Sequence, residues 1–117
     1  MLHAELELLL EIQDLQALRR DIAAADYLEA GPPVTDVETF AARLTERIAE
    51  RESQLSPRTQ AAYQRIARRH ERVVAPVING VCYGCFVHVP TSKGHDKERN
   101  TELRHCESCG RFIYYPD

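Results

Sequence analysis

The sequence predicts an α+β fold, in which an antiparallel helical hairpin and a connecting helix precede a small C-terminal lobe of short β-strands. Three observations predict it. Apolar residues recur at spacings of three and four as far as Val73, the period of an amphipathic helix. After Val73 the chain is rich in β-branched residues and turn signals. Two Cys-x-x-Cys pairs lie in this second part, where a lobe too small for a large core needs another source of stability.

Residues 1–55 are predicted to form the helical, coiled-coil-like hairpin. The first helix runs from Leu2 to about Glu29, and Gly31 with two prolines ends it. Its apolar stripe comprises Leu8, Ile12, Leu15, Leu18, Ile22 and Ala25. Further leucines on other faces of the first three turns predict a second neighbour there: Leu2, Leu6, Leu9 and Leu10. The second helix starts near Thr35, which forms a capping box with Glu38. Its stripe comprises Val37, Phe40, Ala41, Leu44, Ile48 and Leu55.

Residues 56–73 are predicted to form the connecting helix. Ser56 is a suitable N-cap, Pro57 a suitable first helical residue, and the helix is expected to reach about Arg72. We expect this helix to cover the extra leucines of the first one with the side formed by Ala62, Tyr63, Ile66, Ala67 and Val73. Residues 74–117 then form the lobe, which contains a two-residue hairpin signal at Asn79-Gly80.

The cysteines follow the pattern Cys-x2-Cys-x20-Cys-x2-Cys, a spacing typical of a structural zinc site. The ligands are Cys82, Cys85, Cys106 and Cys109. Four thiolates fill the tetrahedral coordination of Zn²⁺, so we expect one structural ion and a C4 zinc ribbon. Gly110 occupies the position behind Cys109 where such a turn needs a positive φ. The first turn has Phe86 there and Gly84 inside the pair, which predicts that the two turns differ in detail.

The cysteines could instead form a redox motif or disulfides, and a nearby histidine could replace one of them as a metal ligand. A dithiol redox motif is expected as a single Cys-x-x-Cys at the start of a helix, which is not the pattern here. The first residues lack a basic region before an apolar run and no apolar stretch is long enough to cross a bilayer. We therefore expect a cytoplasmic location without disulfides and no membrane partner. His88, His95 and His105 lie near the cysteines but are not needed as ligands.

Charge differs between the two halves of the chain. Residues 1–55 carry a net charge of −7 and residues 56–117 a net charge of +4, which a zinc tetrathiolate would reduce to about +2. The candidate residues for binding nucleic acid or a protein partner are Arg65, Arg68, Arg69, Arg72, Lys93, Lys97 and Arg99. The alternative is a solvated helix face paired with acids of the hairpin such as Glu46, Glu50 and Glu52.

The aromatic residues of the lobe also have two interpretations. They either stack on bases or form the lobe's small core, and we favour the core. These residues are Tyr83, Phe86, Phe112, Tyr114 and Tyr115. Because Tyr114 and Tyr115 alternate across a strand, one of them is expected to face solvent.

No set of residues suggests catalysis, so the chain is not expected to be an enzyme. The sequence has no Gly-rich phosphate loop, and its Ser and Thr residues near a histidine fall in predicted loops. The hairpin tip carries Asp26, Glu29 and Asp36, an acidic group that could reach a metal or a basic site in a large partner. Such acids are equally what a soluble helix–loop–helix needs.

The segments "NGVCYGC" followed by "VP", "CESCGRFIYY" and "SPRTQAAYQRI" resemble the bacterial C4-type zinc-ribbon proteins with an N-terminal helical coiled-coil hairpin. The four cysteines match that family's zinc ligands, Glu107 stands where the family often has proline, and the family's hairpin is usually longer. The resemblance implies an adaptor role in flagellar or secretion systems, or RNA or transcription-factor binding. A second likeness is to regulators that insert a coiled-coil arm into the RNA polymerase secondary channel.

The sequence thus predicts a non-enzymatic, zinc-binding adaptor or regulatory protein. Its expected partner is a protein, with RNA or DNA as the other candidate, and the oligomeric state is left open. The alternatives are a polymerase secondary-channel regulator that acts through the hairpin tip, and a dithiol redox protein.

Overall fold

The computed structural model describes the backbone of residues 2–28, 35–90 and 100–116, and their side chains apart from those of 25–28 and 35–37. The fold is α+β. The helices are α1 (Ala4–Leu28), α2 (Thr35–Ser53) and α3 (Pro57–Ala67). Four short strands form a small sheet: β1 (Val74–Ile78), β2 (Val81–Cys82), β3 (Arg104–His105) and β4 (Phe112–Tyr114).

Helices α1 and α2 pack side by side and run in opposite directions. Arg51 pairs with Glu11 near one end of the contact, and Arg19 donates a hydrogen bond of 3.1 Å to Thr45 further along. Ile48 of α2 lies buried between these contacts, and Leu44 is buried next to Thr45. The Gly-Pro link predicted between the two helices falls within residues 29–34, outside the described residues.

The first three turns of α1 form the centre of the larger core. Leu6, Leu9 and Ile12 are at most 1% exposed, whereas Leu18 of the predicted stripe is 41% exposed. The predicted stripe therefore extends too far along the helix at Leu18, whereas the second neighbour predicted for the first three turns is present, because these turns pack against α3 and the sheet as well as α2. The cluster also contains Ile48, Leu55, Ala62, Tyr63, Ile66, Val73, Val74 and Phe112. The expected cover of the extra leucines by α3 is therefore observed for Ala62, Tyr63 and Ile66, whereas Ala67 is exposed and Val73 lies beyond the end of the helix.

Helix α3 begins as predicted but ends earlier. Ser56 is its N-cap and accepts a hydrogen bond from the Thr59 amide, and Pro57 follows. The helix ends at Ala67 rather than near Arg72, with the amides of Arg69 and His70 both donating to the Ile66 carbonyl. The earlier end has a physical reason: Val74 opens strand β1, so the residues before it must leave the helix and turn.

Glu5 connects the start of α1 to the start of α3. Its carboxylate accepts hydrogen bonds from the Ser56 amide at 2.7 Å and from the Thr59 hydroxyl at 3.0 Å. Burial alone would raise the pKa of Glu5, but these hydrogen bonds outweigh it and lower the pKa below its ordinary value. Glu5 therefore joins α1 to α3 instead of lying on a solvated helix face.

The sheet has the strand order β2-β1-β4-β3. Strands β1 and β4 are parallel, with Val74 opposite Phe112, while the two outer pairs are antiparallel. The predicted two-residue hairpin connects β1 to β2, because Asn79 and Gly80 both have positive φ, at 52° and 77°. Pairing of β1 with β4 therefore brings the two cysteine pairs onto one small sheet.

Both faces of the sheet are covered. Phe112 and Tyr114 pack against the helical core, whereas Ile113 and Tyr115 pack in a second cluster with the cysteines. Tyr115 is buried and Tyr114 is half-buried, so neither tyrosine is fully solvated as one of them was expected to be. The cysteine cluster covers the face of the sheet on which Tyr115 lies, and Tyr115 is therefore buried.

Candidate metal centre

The two Cys-x-x-Cys turns share one backbone conformation. The amides of Phe86 and Gly110 donate to the carbonyls of Cys82 and Cys106, at 2.6 and 2.8 Å. Phe86 and Gly110 both have positive φ, at 62° and 82°. The expectation that the turns differ was wrong at this position. Gly84 has another role: a Cβ there would lie 2.8 Å from the Arg111 side chain, so glycine makes room for that arginine.

The four cysteine sulfurs converge on one point. They all lie within 4.8 Å of one another, with Cys82 3.9 Å from Cys109 and Cys85 3.7 Å from Cys106. A metal bound at roughly 2.3 Å by four sulfurs in a tetrahedron would hold them about 3.8 Å apart. A disulfide needs about 2.05 Å, and all four cysteines are free. The cluster therefore has the size that binds a single metal ion.

The surroundings of the sulfurs set their ionisation. Burial raises the pKa of Cys82 to about 12 and also raises that of Cys106, although backbone amides such as that of Gly84 oppose the shift. For Cys85, burial opposes the shift, but hydrogen bonds from the Val87 amide and the neighbouring thiols lower the pKa to about 7. Like charges this close repel, so four thiolates coexist only around a cation, and metal binding must release protons.

Three histidines lie near the cysteines in the sequence. The two within the described ranges, His88 and His105, lie outside the four-sulfur cluster. His88 is exposed and forms a bridge with Val81 on β2. The His105 ring lies 3.1 Å from the Gly110 carbonyl and stacks on Phe112 with ring centres 4.4 Å apart. His95 falls outside the described residues.

The four predicted binding arginines in and after the last turn of α3 are exposed, and two of them lie beside the cluster. Arg65, Arg68, Arg69 and Arg72 are all solvent-exposed. Arg65 and Arg69 line a groove of about 300 Å³ that also contacts His105 and Cys109. Across the described ranges, no ion pair links an α3 arginine to Glu46, Glu50 or Glu52, so the expected pairing with the acidic helices is not seen there.

The remaining predicted site residues cannot be placed. Lys93, Lys97, Arg99 and Glu29 fall outside the described residues, and so do the side chains of Asp26 and Asp36. The cationic loop and the acidic tip accordingly stay sequence-based predictions.

The aromatic residues of the first cysteine turn were misassigned. Tyr83 is 45% exposed and Phe86 is 70% exposed, whereas Phe112 and Tyr115 are buried as the core interpretation expected. A signal was present in the sequence. Aligning the two cysteine turns places Phe86 opposite Gly110, at a position of positive φ where glycine is favoured.

Fold and site together define an α+β chain with a four-cysteine cluster suited to one metal ion. No family model matches the chain, and no curated protein matches it. A solved structure with a similar fold is that of CT398 from Chlamydia trachomatis, with a TM-score of 0.54 and 24% sequence identity. The match covers 70% of this chain and 35% of CT398, so the matched part spans about a third of that protein's length. At this identity the likeness concerns the fold alone.

Within the described ranges, no helix is both long and apolar enough to cross a membrane.

Proposed function

We propose that the chain is a non-enzymatic adaptor or regulatory protein whose C-terminal part is a zinc ribbon folded around one structural Zn²⁺. The observation that carries the proposal is the spacing of the four sulfurs, which matches the edge of a zinc tetrathiolate. Thiolate ligands in a tetrahedron favour zinc among the common divalent ions. The ligands are Cys82, Cys85, Cys106 and Cys109.

A structural role follows from the ligand set. Four protein thiolates occupy every position of a tetrahedral ion and leave none for water or substrate. The cluster around the sulfurs is also small: its buried apolar members besides cysteine are Ala75, Val77, Ile113 and Tyr115. So few side chains bury little apolar surface, and the metal would supply the missing stability.

The helices supply the second part of the proposal. Helices α1 and α2 form a two-helix arm, the predicted hairpin of residues 1–55, and α3 connects it to the ribbon of residues 74–117. The arm and ribbon offer surfaces for a partner rather than a reaction centre. An adaptor role is also what the resemblance to the C4-type zinc-ribbon proteins implies, and a protein is the partner we favour.

Metal content tests this proposal directly. Protein purified under reducing conditions is expected to contain one zinc per chain by elemental analysis, and to be colourless because zinc thiolates do not absorb visible light. The Cys82→Ser, Cys106→Ser double variant serves as the control and should contain none. Less than half an equivalent in the wild-type protein, or the absorption of an iron thiolate, would refute the zinc assignment.

Nucleic acid is the second candidate partner, and the groove beside α3 favours it. Arg65 lines both this groove and an adjoining one of about 630 Å³ that includes Arg58 and His105. Arg58 and Arg65 lie seven residues apart, which places their cations on one face of α3, and Arg69 follows two residues beyond the end of the helix and lines the same groove as Arg65. A phosphate backbone could lie along such a row.

Salt dependence discriminates between the two candidates. If nucleic acid binds here, Arg65→Glu with Arg69→Glu should abolish binding of a labelled single-stranded RNA or DNA measured by fluorescence anisotropy. The wild-type affinity should fall steeply with salt, with a log–log slope of about −0.7 per neutralised phosphate. Arg20→Glu, an exposed change on α1, is the matched control. Equal binding by both variants, or a flat salt response, would exclude this groove as a nucleic-acid site.

A further inference from the structure

Exposed apolar side chains concentrate on the first cysteine turn. Among the described residues, five large hydrophobic side chains are exposed, and three of them are Tyr83, Phe86 and Val87. We call these three residues the aromatic ridge. The rings of Tyr83 and Phe86 lie 5.6 Å apart at 58°, so they form a corner that presents aromatic surface to solvent. Large side chains of this kind are enriched where proteins bind one another.

The fold does not account for Phe86. Its φ of 62° is disfavoured for a residue with a Cβ, and the equivalent position of the second turn holds Gly110 in the same conformation. A phenylalanine that is 70% exposed recovers little by burial. A side chain kept in a strained position without a packing role points to a function for that side chain.

The electrostatic surroundings of the ridge suit a cation. A groove of about 270 Å³ adjoins Val87, and its lining within the described part of the chain includes Glu107 and Cys106 but no lysine or arginine. A metal held by four thiolates would add a net charge of −2 beneath the turn. The side chain of Arg111 lies next to Gly84, and its Nε donates a hydrogen bond of 2.9 Å to the Arg72 carbonyl. A cation over the aromatic rings would be stabilised by the ring faces and by this negative charge.

We propose that the aromatic ridge is a docking surface for a protein segment that presents a lysine or arginine beside an apolar side chain. The cation would lie over the rings of Tyr83 and Phe86, and the apolar side chain would pack against Val87 in the adjoining groove. The inference rests on the proposed function, because the charge that attracts the cation belongs to the bound zinc centre.

Peptide selection tests the inference with the full chain. Zinc-loaded protein is used to select from a random peptide library displayed on phage, and the selected sequences are expected to pair a lysine or arginine with a neighbouring apolar residue. A synthetic peptide of the selected sequence then serves as the probe. Phe86→Gly should weaken its binding at least tenfold and Tyr83→Ser several-fold, while Phe40→Ala, an exposed aromatic change on α2, should leave it unchanged.

Stability and metal content complete the test. Phe86→Gly should retain one zinc, and its Tm should not fall, because glycine relieves the strained backbone. A marked fall in Tm would assign Phe86 a structural role and overturn the inference. So would wild-type peptide affinity in Phe86→Gly, selection of acidic peptides, or selection of none by zinc-loaded protein. Absence of zinc from the wild-type protein would instead refute the proposed function, so the two failures are distinguishable.

Discussion

Replacing Cys109 with serine is expected to remove the metal and unfold the four-stranded sheet. Serine is a poor zinc ligand at neutral pH, and a structural zinc contributes about 10–16 kcal/mol of apparent binding free energy in zinc-finger peptides. That is as large as the whole stability of an ordinary domain, about 5–15 kcal/mol. The small cluster around the sulfurs cannot replace it. Addition of a strong chelator to the wild-type protein should have the same effect.

Nitrogen–proton correlation spectra and zinc analysis measure this effect. The amide signals of residues 74–90 and 100–116 should collapse towards random-coil positions, while part of the far-UV helical signal persists through the contacts of α1 with α2. Ser108→Ala is the matched control, because it changes an exposed neighbour and preserves the backbone amide near Cys106. Dispersed sheet signals in the zinc-free Cys109→Ser protein would contradict a structural role for the metal.

Truncation of Phe112 to alanine should destabilise the helices and the sheet together. The side chain is 1% exposed and belongs to the same core as Leu6 and Leu9 of α1. Its amide donates to the Val73 carbonyl at 3.0 Å, so the residue also lies at the junction of β4 with β1. Loss of a fully buried phenylalanine costs about 3–5 kcal/mol, a large part of a small protein's stability.

Urea unfolding of the zinc-loaded protein would measure the cost. Far-UV ellipticity and tyrosine fluorescence should give one coincident transition, shifted to lower urea in Phe112→Ala. Phe40→Ala removes the same atoms from a side chain that is 46% exposed and should cost less than about 1 kcal/mol. If the helical transition stayed in place while only the tyrosine signal shifted, residues 1–55 and 74–117 would fold independently, as their predicted division into domains implies.

Local signals allowed most of the fold to be predicted. The Ser56 cap, the Asn79-Gly80 turn and the start of α2 at Thr35 each depend on a few neighbouring residues, and the structure has all three. The cysteine spacing likewise predicted the cluster, because two Cys-x-x-Cys turns must converge if they hold one ion. These features need no knowledge of distant contacts.

Features that depend on long-range packing were predicted less well. Periodicity alone could not show that Leu6 and Leu9 would be more buried than Leu18, since burial depends on where α3 and the sheet cover α1. The end of α3 at Ala67 depends on pairing of β1 with β4. Glu5 contacts residues more than 50 positions away, which no local pattern reveals.

Asn100 shows the same limit. Its side-chain amide exchanges two hydrogen bonds of 2.7 Å with the backbone of Tyr115. Its backbone carbonyl accepts a third hydrogen bond from the His3 amide. One residue thereby connects the beginning of α1 to the residue that follows β4. A single asparagine in a polar stretch carries no pattern that would predict this role.

The parallel contact between β1 and β4 has a consequence for the order in which the molecule assembles. Val74 and Phe112 are 38 positions apart, whereas the β1–β2 turn and the helices close over short distances. Short loops form sooner than long ones, so we expect the inner strand β4 to be the last to pair. An ion bound by both cysteine turns would hold the ends of this loop together and so lower the entropy cost of pairing β4 with β1. If the ion is the zinc proposed above, the folding rate of newly made chains would depend on the zinc concentration. Leu6 and Leu9 would then stay partly exposed until Phe112 of β4 packs against them.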